Sequence, residues 1–200
     1  MDEREQISIL TRCLDQAYNI LRREYYEMRP NYNYYPFIPM HSRAALEELI
    51  IAQDHFTKLG MDIRALRFLD VGCGLGNIME IAGGIGFQSF GIEYNEGLIH
   101  KALFTTFKMD KKVLKNEMEG VFFGDAFKFN FYDQFNVIYL YRPVRDPVLE
   151  GKLEQLIENE MAVGTIYIAN DKIKPIEKSS KFKVLLRGKR LPMWIKVKNS

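Results

Sequence analysis

The sequence predicts an α/β domain built on a doubly wound, mostly parallel sheet. Short apolar runs that favour β-strands alternate with segments that carry apolar residues at helical spacing. One of these runs, residues 66–71, leads directly into three glycines spaced two apart. That run and the two strand-like runs after it each have an acidic residue at or near their ends. These observations indicate parallel strands whose carboxyl ends form a ligand site.

Length and composition favour a single domain over residues 1–200. The chain has 200 residues, of which 47% are hydrophobic, enough for one full core and a short N-terminal addition. We expect residues 1–60 to form that addition as a helical and aromatic extension, and residues 61–200 to form the core. No window holds the roughly 18 uninterrupted apolar residues that a membrane span needs, and the charged start lacks a signal-peptide core. A cytoplasmic location without membrane association is therefore expected.

The first 60 residues predict two helices separated by an aromatic segment. Apolar residues recur at three- and four-residue steps from 3 to 28, which indicates one amphipathic helix that stops before Pro30. Residues 31–40 hold aromatic residues and prolines without either periodicity. Ser42 is expected to cap the second helix, and Gly60 is expected to end it.

The core then shows a regular alternation of elements. The predicted strands span 66–71, 87–93, 121–124, 135–141 and 165–169. Helices are predicted over 76–83 and 96–107, and a further one starts at Asp146-Pro147, because aspartate caps well and proline suits the first helical position. Two β-like runs, 182–187 and 193–197, finish the chain as an expected antiparallel pair.

The segment Asp70-Val71-Gly72-Cys73-Gly74-Leu75-Gly76 resembles the first motif of class I S-adenosylmethionine-dependent methyltransferases. Glycines at a strand end let the backbone turn sharply and let a ligand approach with no Cβ in the way. The dinucleotide fingerprint Gly-x-Gly-x-x-Gly would need a further glycine at Asn77. The resemblance implies that Asp70 helps to hold the cofactor's amino group. It also implies that the methionine part is wrapped by Gly72, Cys73, Gly74 and Gly76.

Two later segments extend this resemblance. Gly91-Ile92-Glu93-Tyr94-Asn95 is similar to the family's second motif, and Glu93 lies about 20 residues after the turn, as a ribose-binding carboxylate should. Gly124-Asp125-Ala126-Phe127 resembles the adenine-binding element, with Asp125 accepting from the exocyclic amine and Ala126 offering its backbone amide. We also predict that Tyr94 and Tyr139 contact the cofactor. The implied cofactor is S-adenosylmethionine, with S-adenosylhomocysteine as product, and no metal is required.

The acceptor side of this fold lies at the end of the fourth strand, where the chain has Tyr141-Arg142-Pro143-Val144. The amino-methylating branch of the family carries Asn/Asp-Pro-Pro-aromatic there, so this departure argues against N-methylation of a base. Tyr141 can bond an acceptor or face a cation with its ring. Arg142 is permanently charged and can bind a carboxylate or phosphate, but it cannot act as a base. We predict both as candidate catalytic residues and, with Pro143, as substrate-binding residues.

Residues 31–40 have two interpretations. They form either a loop that packs over the core or a lid, because the N-terminal addition of the resembled family commonly covers the cofactor and contacts the substrate. The lid would bring Tyr34, Tyr35 and Phe37 to the substrate. An aromatic-proline segment, a helix and then the glycine motif is similar to the layout of small protein-lysine methyltransferases. The expected function is methyl transfer to an unidentified acceptor: a protein side chain such as lysine, a small molecule or a nucleic acid.

Two other functions fit the sequence. A nicotinamide-dependent oxidoreductase shares the fold and the ribose carboxylate. A binding module that has lost catalysis fits the uneven charge, since residues 171–200 carry a net charge of +8 and the rest of the chain −6, a pattern typical of nucleic-acid or acidic-protein binding. Lysines on exposed strands also discourage edge-to-edge aggregation, so the basic segment has two explanations. The oligomeric state is left open.

Overall fold

A computed structural model describes residues 3–27, 41–95, 98, 120–169, 179–186 and 191–198. The helices with described bounds are α1 (Glu3–Glu27), α2 (Ser42–Lys58), α3 (Asn77–Gly84) and α4 (Pro147–Glu160). The strands are β1 (Arg67–Val71), β2 (Gln88–Glu93), β3 (Gly120–Phe123), β4 (Val137–Leu140), β5 (Ile166–Ala169), β6 (Phe182–Leu186) and β7 (Met193–Lys196). The predicted lid and most of the predicted helix 96–107 lie outside the described residues.

The strands form one seven-stranded sheet in the order β3-β2-β1-β4-β5-β7-β6. Strands β1 to β5 are parallel, and β7 lies antiparallel between β5 and β6. This confirms the predicted fold class, including the antiparallel C-terminal pair. The strand order reverses between β1 and β4, and in open α/β sheets such a reversal opens a crevice at the carboxyl ends of the strands. The candidate site lies there.

The central strands are buried on both faces, which explains why their sequences read as continuous apolar runs. On one face, Phe68 and Val137 pack with the apolar side of α2 and with α3. On the other face, Leu69 and Ile138 pack with the buried side of α4. Because successive side chains of a strand point to opposite faces, each strand contributes to both layers of core.

Helix α2 is capped differently from the sequence prediction. Ser42 is the first helical residue rather than the cap, and its backbone N–H donates to Asp15 Oδ1 of α1 at 2.9 Å. Asp15 Oδ2 also lies 3.2 Å from Nδ1 of His41, which occupies the capping position. The prediction of a Ser42 cap was wrong because an acceptor from another helix satisfies the orphan N–H. The prediction for Gly60 is confirmed, since it adopts a φ of +74° directly after the last turn.

Helix α1 connects the N-terminal residues to the core, and its bounds confirm the predicted helix to within one residue. Tyr18 is fully buried against Leu75 of the glycine turn and against Leu98. Leu14 packs beside Tyr18 and also against the core under α2. The helix therefore supports the turn at which the ligand is expected. None of the described helices combines the length and the apolar character needed to cross a membrane.

Candidate functional site

A cavity of about 380 Å³ opens at the carboxyl ends of the parallel strands, within the usual size range of small-molecule sites. Its walls come from the residues that end or follow β1, β2, β3 and β4. Most of the residues predicted from the sequence line it: Asp70, Gly72, Cys73, Gly74, Glu93, Tyr94, Asp125, Ala126, Tyr139, Tyr141, Arg142 and Pro143. Gly76 is not among the lining residues, and Tyr34, Tyr35 and Phe37 lie outside the described part of the chain.

The glycine turn is held against β2 and against the segment after β4. The N–H groups of Gly72 and Cys73 both donate to the carbonyl of Ile92, at 2.8 and 3.0 Å. Gly72 has a φ of +80°, and a Cβ on it would lie 2.8 Å from Cβ of Pro143. The absence of a side chain at Gly72 therefore allows the first and fourth strand ends to touch. Gly76 occupies the N-cap position of α3 with a φ of +83°.

Glu93 is buried at the end of β2 and holds the turn in place. Its Oε2 accepts from the backbone N–H of Gly74 at 2.9 Å, and its Oε1 accepts from that of Asn95 at 2.7 Å. Burial raises the pKa of the Glu93 carboxyl, and these hydrogen bonds oppose the shift by stabilising the charged form. The backbone N–H of Tyr94 also stabilises the Glu93 carboxylate. Since a carboxylate accepts about four hydrogen bonds, Glu93 keeps about one accepting position for ligand hydroxyl groups.

Asp70 faces the cavity as a buried acceptor, with only 4% of its surface exposed. Its carboxyl group forms no hydrogen bond or ion pair with another described residue. Burial, together with the charge of Glu93, raises the pKa of Asp70 to about 8. A cationic ligand group beside Asp70 would offset both effects and favour its ionised form. The acceptor groups of Asp70 and Glu93 fit a ligand that carries an amine and hydroxyl groups as donors.

The third strand end contributes Asp125 and Ala126. Asp125 caps a short 3₁₀ turn over residues 126–128, and its Oδ1 accepts from the backbone N–H of Phe127 at 3.0 Å. Tyr132 donates through its hydroxyl to the carbonyl of Ala126 at 2.8 Å. These bonds fix the backbone next to the cavity and leave the second carboxylate oxygen of Asp125 for a ligand.

The fourth strand end differs in character from the other three. Tyr139 is fully buried, and burial followed by the charge of Glu48 raises its pKa well above the usual range. Tyr141 is half-buried, and the guanidinium carbon of Arg142 lies 5.6 Å from the centre of its ring. Among the described non-glycine residues, Arg142 alone has a positive φ, of 50°. This segment therefore combines an aromatic ring, a cation and a strained backbone.

Some lining residues were missed by sequence reasoning. Asn77 stands where the dinucleotide fingerprint needs a glycine, and it is buried in the first turn of α3 and lines the cavity. Leu149 and Leu153 line it from α4, and their four-residue spacing could have placed them together. Arg145 also lines the cavity, and only its proximity to Arg142 in sequence could have indicated this.

Comparisons with known proteins agree with this fold. The sequence matches no protein-family model and no curated protein sequence. Its fold is similar to that of an RNA methyltransferase from Salinibacter ruber in complex with S-adenosyl-L-homocysteine, with a TM-score of 0.53 and 19% identity over 80% of this chain and 95% of that one. It is also similar to magnesium protoporphyrin IX methyltransferase from Synechocystis PCC 6803 with bound S-adenosylmethionine, with a TM-score of 0.58 and 11% identity over 78% of this chain and 79% of that one. The chain has the class I methyltransferase fold that its motifs predict.

Proposed function

We propose that the protein is an S-adenosylmethionine-dependent methyltransferase. The observation that carries this proposal is the pair of adjacent buried carboxyls, Asp70 and Glu93, beside a glycine turn in a cavity at the strand reversal. Two buried acids at one site are costly unless a ligand satisfies them. A ligand with an amine, a positive centre and a pair of ribose hydroxyls would satisfy both.

Each cavity wall suits a different part of this cofactor. Glu93 has accepting capacity left for the ribose hydroxyls, and Asp70 is available for the amino group. Asp125 has one carboxylate oxygen left for the exocyclic amine of adenine, with the Ala126 amide beside it. The glycine turn bounds the methionine part. When bound, S-adenosylmethionine supplies an activated methyl group on a sulfonium and leaves as S-adenosylhomocysteine.

The chain's own contribution to the reaction is positioning and exclusion of water. Alignment of an acceptor lone pair with the bond that breaks can supply up to about 7–11 kcal/mol of the barrier reduction. Tyr139, fully buried in the cavity wall, helps to keep this region dry. Tyr141 lies half-buried on the fourth strand end, where its hydroxyl can hydrogen-bond the acceptor. The acceptor would therefore be oriented by the segment after β4.

The expectation of a lysine acceptor finds no support in this cavity. A lysine ammonium must lose a proton before it accepts a methyl group, which costs about 4–5 kcal/mol at neutral pH for an unperturbed side chain. Arg142 and Arg145 line the acceptor end and would repel the ammonium form. A small molecule or a nucleic acid is better suited to this end than a cationic side chain.

Calorimetric titration tests the cofactor assignment. We expect micromolar binding of S-adenosylmethionine and S-adenosylhomocysteine and no binding of NADH. Asp70→Ala and Glu93→Ala should each weaken binding by about 10- to 100-fold, because each removes hydrogen bonds to a charged group. Asp54→Ala, an exposed aspartate on α2, is the matched control and should bind normally.

Transfer of a labelled methyl group onto cell extract then tests catalysis. Label in any fraction, lost in Asp70→Ala, supports a methyltransferase. Failure of well-folded protein to bind either cofactor form, or binding of NADH instead, would contradict the proposal. Cofactor binding with no transfer to any fraction would favour the binding module that has lost catalysis.

A further inference from the structure

The cavity has carboxyl groups at one end and guanidinium groups at the other. Asp70 and Glu93 lie at the carboxyl ends of β1 and β2, and Asp125 follows β3, whereas Arg142 and Arg145 follow β4. The sheet order β3-β2-β1-β4 places the three acids on one side and the two arginines on the other. Neither guanidinium forms an ion pair with a described residue. The arginine end therefore holds two cations that its described neighbours do not neutralise.

The backbone at Arg142 indicates that its position is imposed. A bulky residue at a φ of +50° is strained, and such outliers persist only where the surroundings determine them. Pro143 is fixed by its close approach to Gly72, and the guanidinium faces the ring of Tyr141. The strained turn brings Arg142 into the cavity wall, three residues before Arg145. A segment selected only for a tight turn would be better served by glycine or asparagine.

The chemistry of a guanidinium pair restricts the ligand. Arginine presents a planar fork of N–H donors that matches the oxygens of phosphate and carboxylate groups. Both arginines line the cavity, and Arg145, which is exposed, is more accessible to solvent than the half-buried Arg142. This arrangement suits an oxyanion that reaches the site from solvent. The methionine carboxylate of the cofactor is the alternative partner of these arginines, so the experiment must distinguish it from an oxyanion of the acceptor.

We propose that Arg142 and Arg145 bind an oxyanion, phosphate or carboxylate, that is part of the methyl acceptor. The acceptor is accordingly an anionic molecule, and the two arginines determine which molecules are methylated. This inference rests on the proposed methyltransferase function and goes further, because it names the chemical class of the substrate and adds Arg145 to the site.

Titration of the S-adenosylhomocysteine-saturated protein with inorganic phosphate tests the arginine pair directly. The side-chain N–H signals of arginine, observed by NMR, should shift for Arg142 and Arg145 at millimolar phosphate. Arg142→Gln and Arg145→Gln should each weaken phosphate binding at least fivefold. Arg64→Gln is the matched control, because Arg64 is exposed and lies just before β1, at the amino ends of the parallel strands and so away from the cavity.

Affinity for S-adenosylhomocysteine separates the two ligands. If the arginines serve the acceptor, the glutamine variants keep the wild-type affinity within about twofold. If Arg142→Gln weakens S-adenosylhomocysteine binding as much as phosphate binding, Arg142 belongs to the cofactor carboxylate and the inference is wrong. Should wild-type protein bind no S-adenosylhomocysteine, the proposed function fails, and a phosphate titration of the ligand-free protein still tests the arginine pair.

Labelled-methyl transfer onto extract identifies the source of the oxyanion. We expect the labelled product to be retained on an anion-exchange resin and to form at least tenfold more slowly with Arg142→Gln or Arg145→Gln at low acceptor concentration. Release of the label by nuclease would assign the oxyanion to a polynucleotide, and nuclease-resistant label to a small acid. Label on lysine side chains of protein would overturn the inference.

Discussion

The acidic and the arginine ends of the cavity are built in different ways. Asp70 and Glu93 lie on strands β1 and β2 with less than a tenth of their surface exposed. Arg142 and Arg145 lie on the segment between β4 and α4, half-buried or exposed, with strained backbone at Arg142. At the acidic end, the cavity-lining side chains are part of the strands and turns that make up the fold itself. At the arginine end, a rigid scaffold carries a loop whose side chains can change without loss of the fold.

The two ends meet at one contact, between Gly72 and Pro143. Gly72→Ala should break both ends at once, because the new Cβ would lie 2.8 Å from Cβ of Pro143 and the residue would keep a φ of +80°. Overpacking and left-handed strain together should lower the free energy of unfolding by about 2–4 kcal/mol. Denaturant unfolding measures this loss, and calorimetry should show S-adenosylhomocysteine binding weakened by about tenfold or more.

Gly84→Ala is the matched control for this substitution. Gly84 is the last residue of α3, and a Cβ there meets no atom within 4 Å. We expect a change of at most about 1 kcal/mol, in the stabilising direction, because alanine is favoured over glycine in helices. Equal stability of Gly72→Ala and wild type would show that the two ends are not coupled through this contact.

The pH dependence of cofactor binding tests the acidic end of the cavity through the titration of Asp70. The pKa of Asp70 is raised to about 8 in the free protein, and a bound amine would lower it. Binding then releases a proton below pH 8, so affinity for S-adenosylhomocysteine should rise with pH between about 6 and 8, by up to about tenfold per unit, and level off above. The free protein should lose stability as pH rises over the same range, because its folded state binds the extra proton.

Two controls isolate the contribution of Asp70. Asp70→Asn should flatten the pH profile of affinity, since the amide does not titrate. Methylthioadenosine, which lacks the amino acid part, should bind with little pH dependence in the wild type. Glu154, whose pKa is also about 8, adds to the stability slope but is not a lining residue of the cavity. A steep profile that persists in Asp70→Asn would show that another group controls binding.

The acidic end was predictable from the sequence because its information is local. An apolar run, a glycine turn and a carboxylate about 20 residues later lie within one βαβ unit, and the structure brings Asp70, Gly74 and Glu93 to one cavity. The strand bounds were equally predictable, because buried parallel strands appear in the sequence as continuous apolar runs. The predicted roles of these residues await the binding measurements.

Contacts between distant residues were not predictable in this way. Asp15 caps α2 from another helix, 27 residues before Ser42, and Gly72 meets Pro143 across the fold. Such pairings depend on how helices and strands pack, which one sequence does not reveal. Arg145 illustrates the same limit at the arginine end, since no motif singles out a lining residue on a loop.

The smallest predicted effect concerns the strain at Arg142. Glycine adopts a φ of +50° without penalty, whereas alanine there retains the left-handed strain of about 1–2 kcal/mol. After allowance for the larger unfolded-state entropy of glycine, Arg142→Gly should be more stable than Arg142→Ala by about 1 kcal/mol in denaturant unfolding. Both variants lose the guanidinium, so both should transfer methyl groups more slowly despite their different stabilities. Equal stabilities of the two variants would mean that the turn relaxes when the arginine side chain is removed. The surrounding structure would then not be the cause of the positive φ at Arg142.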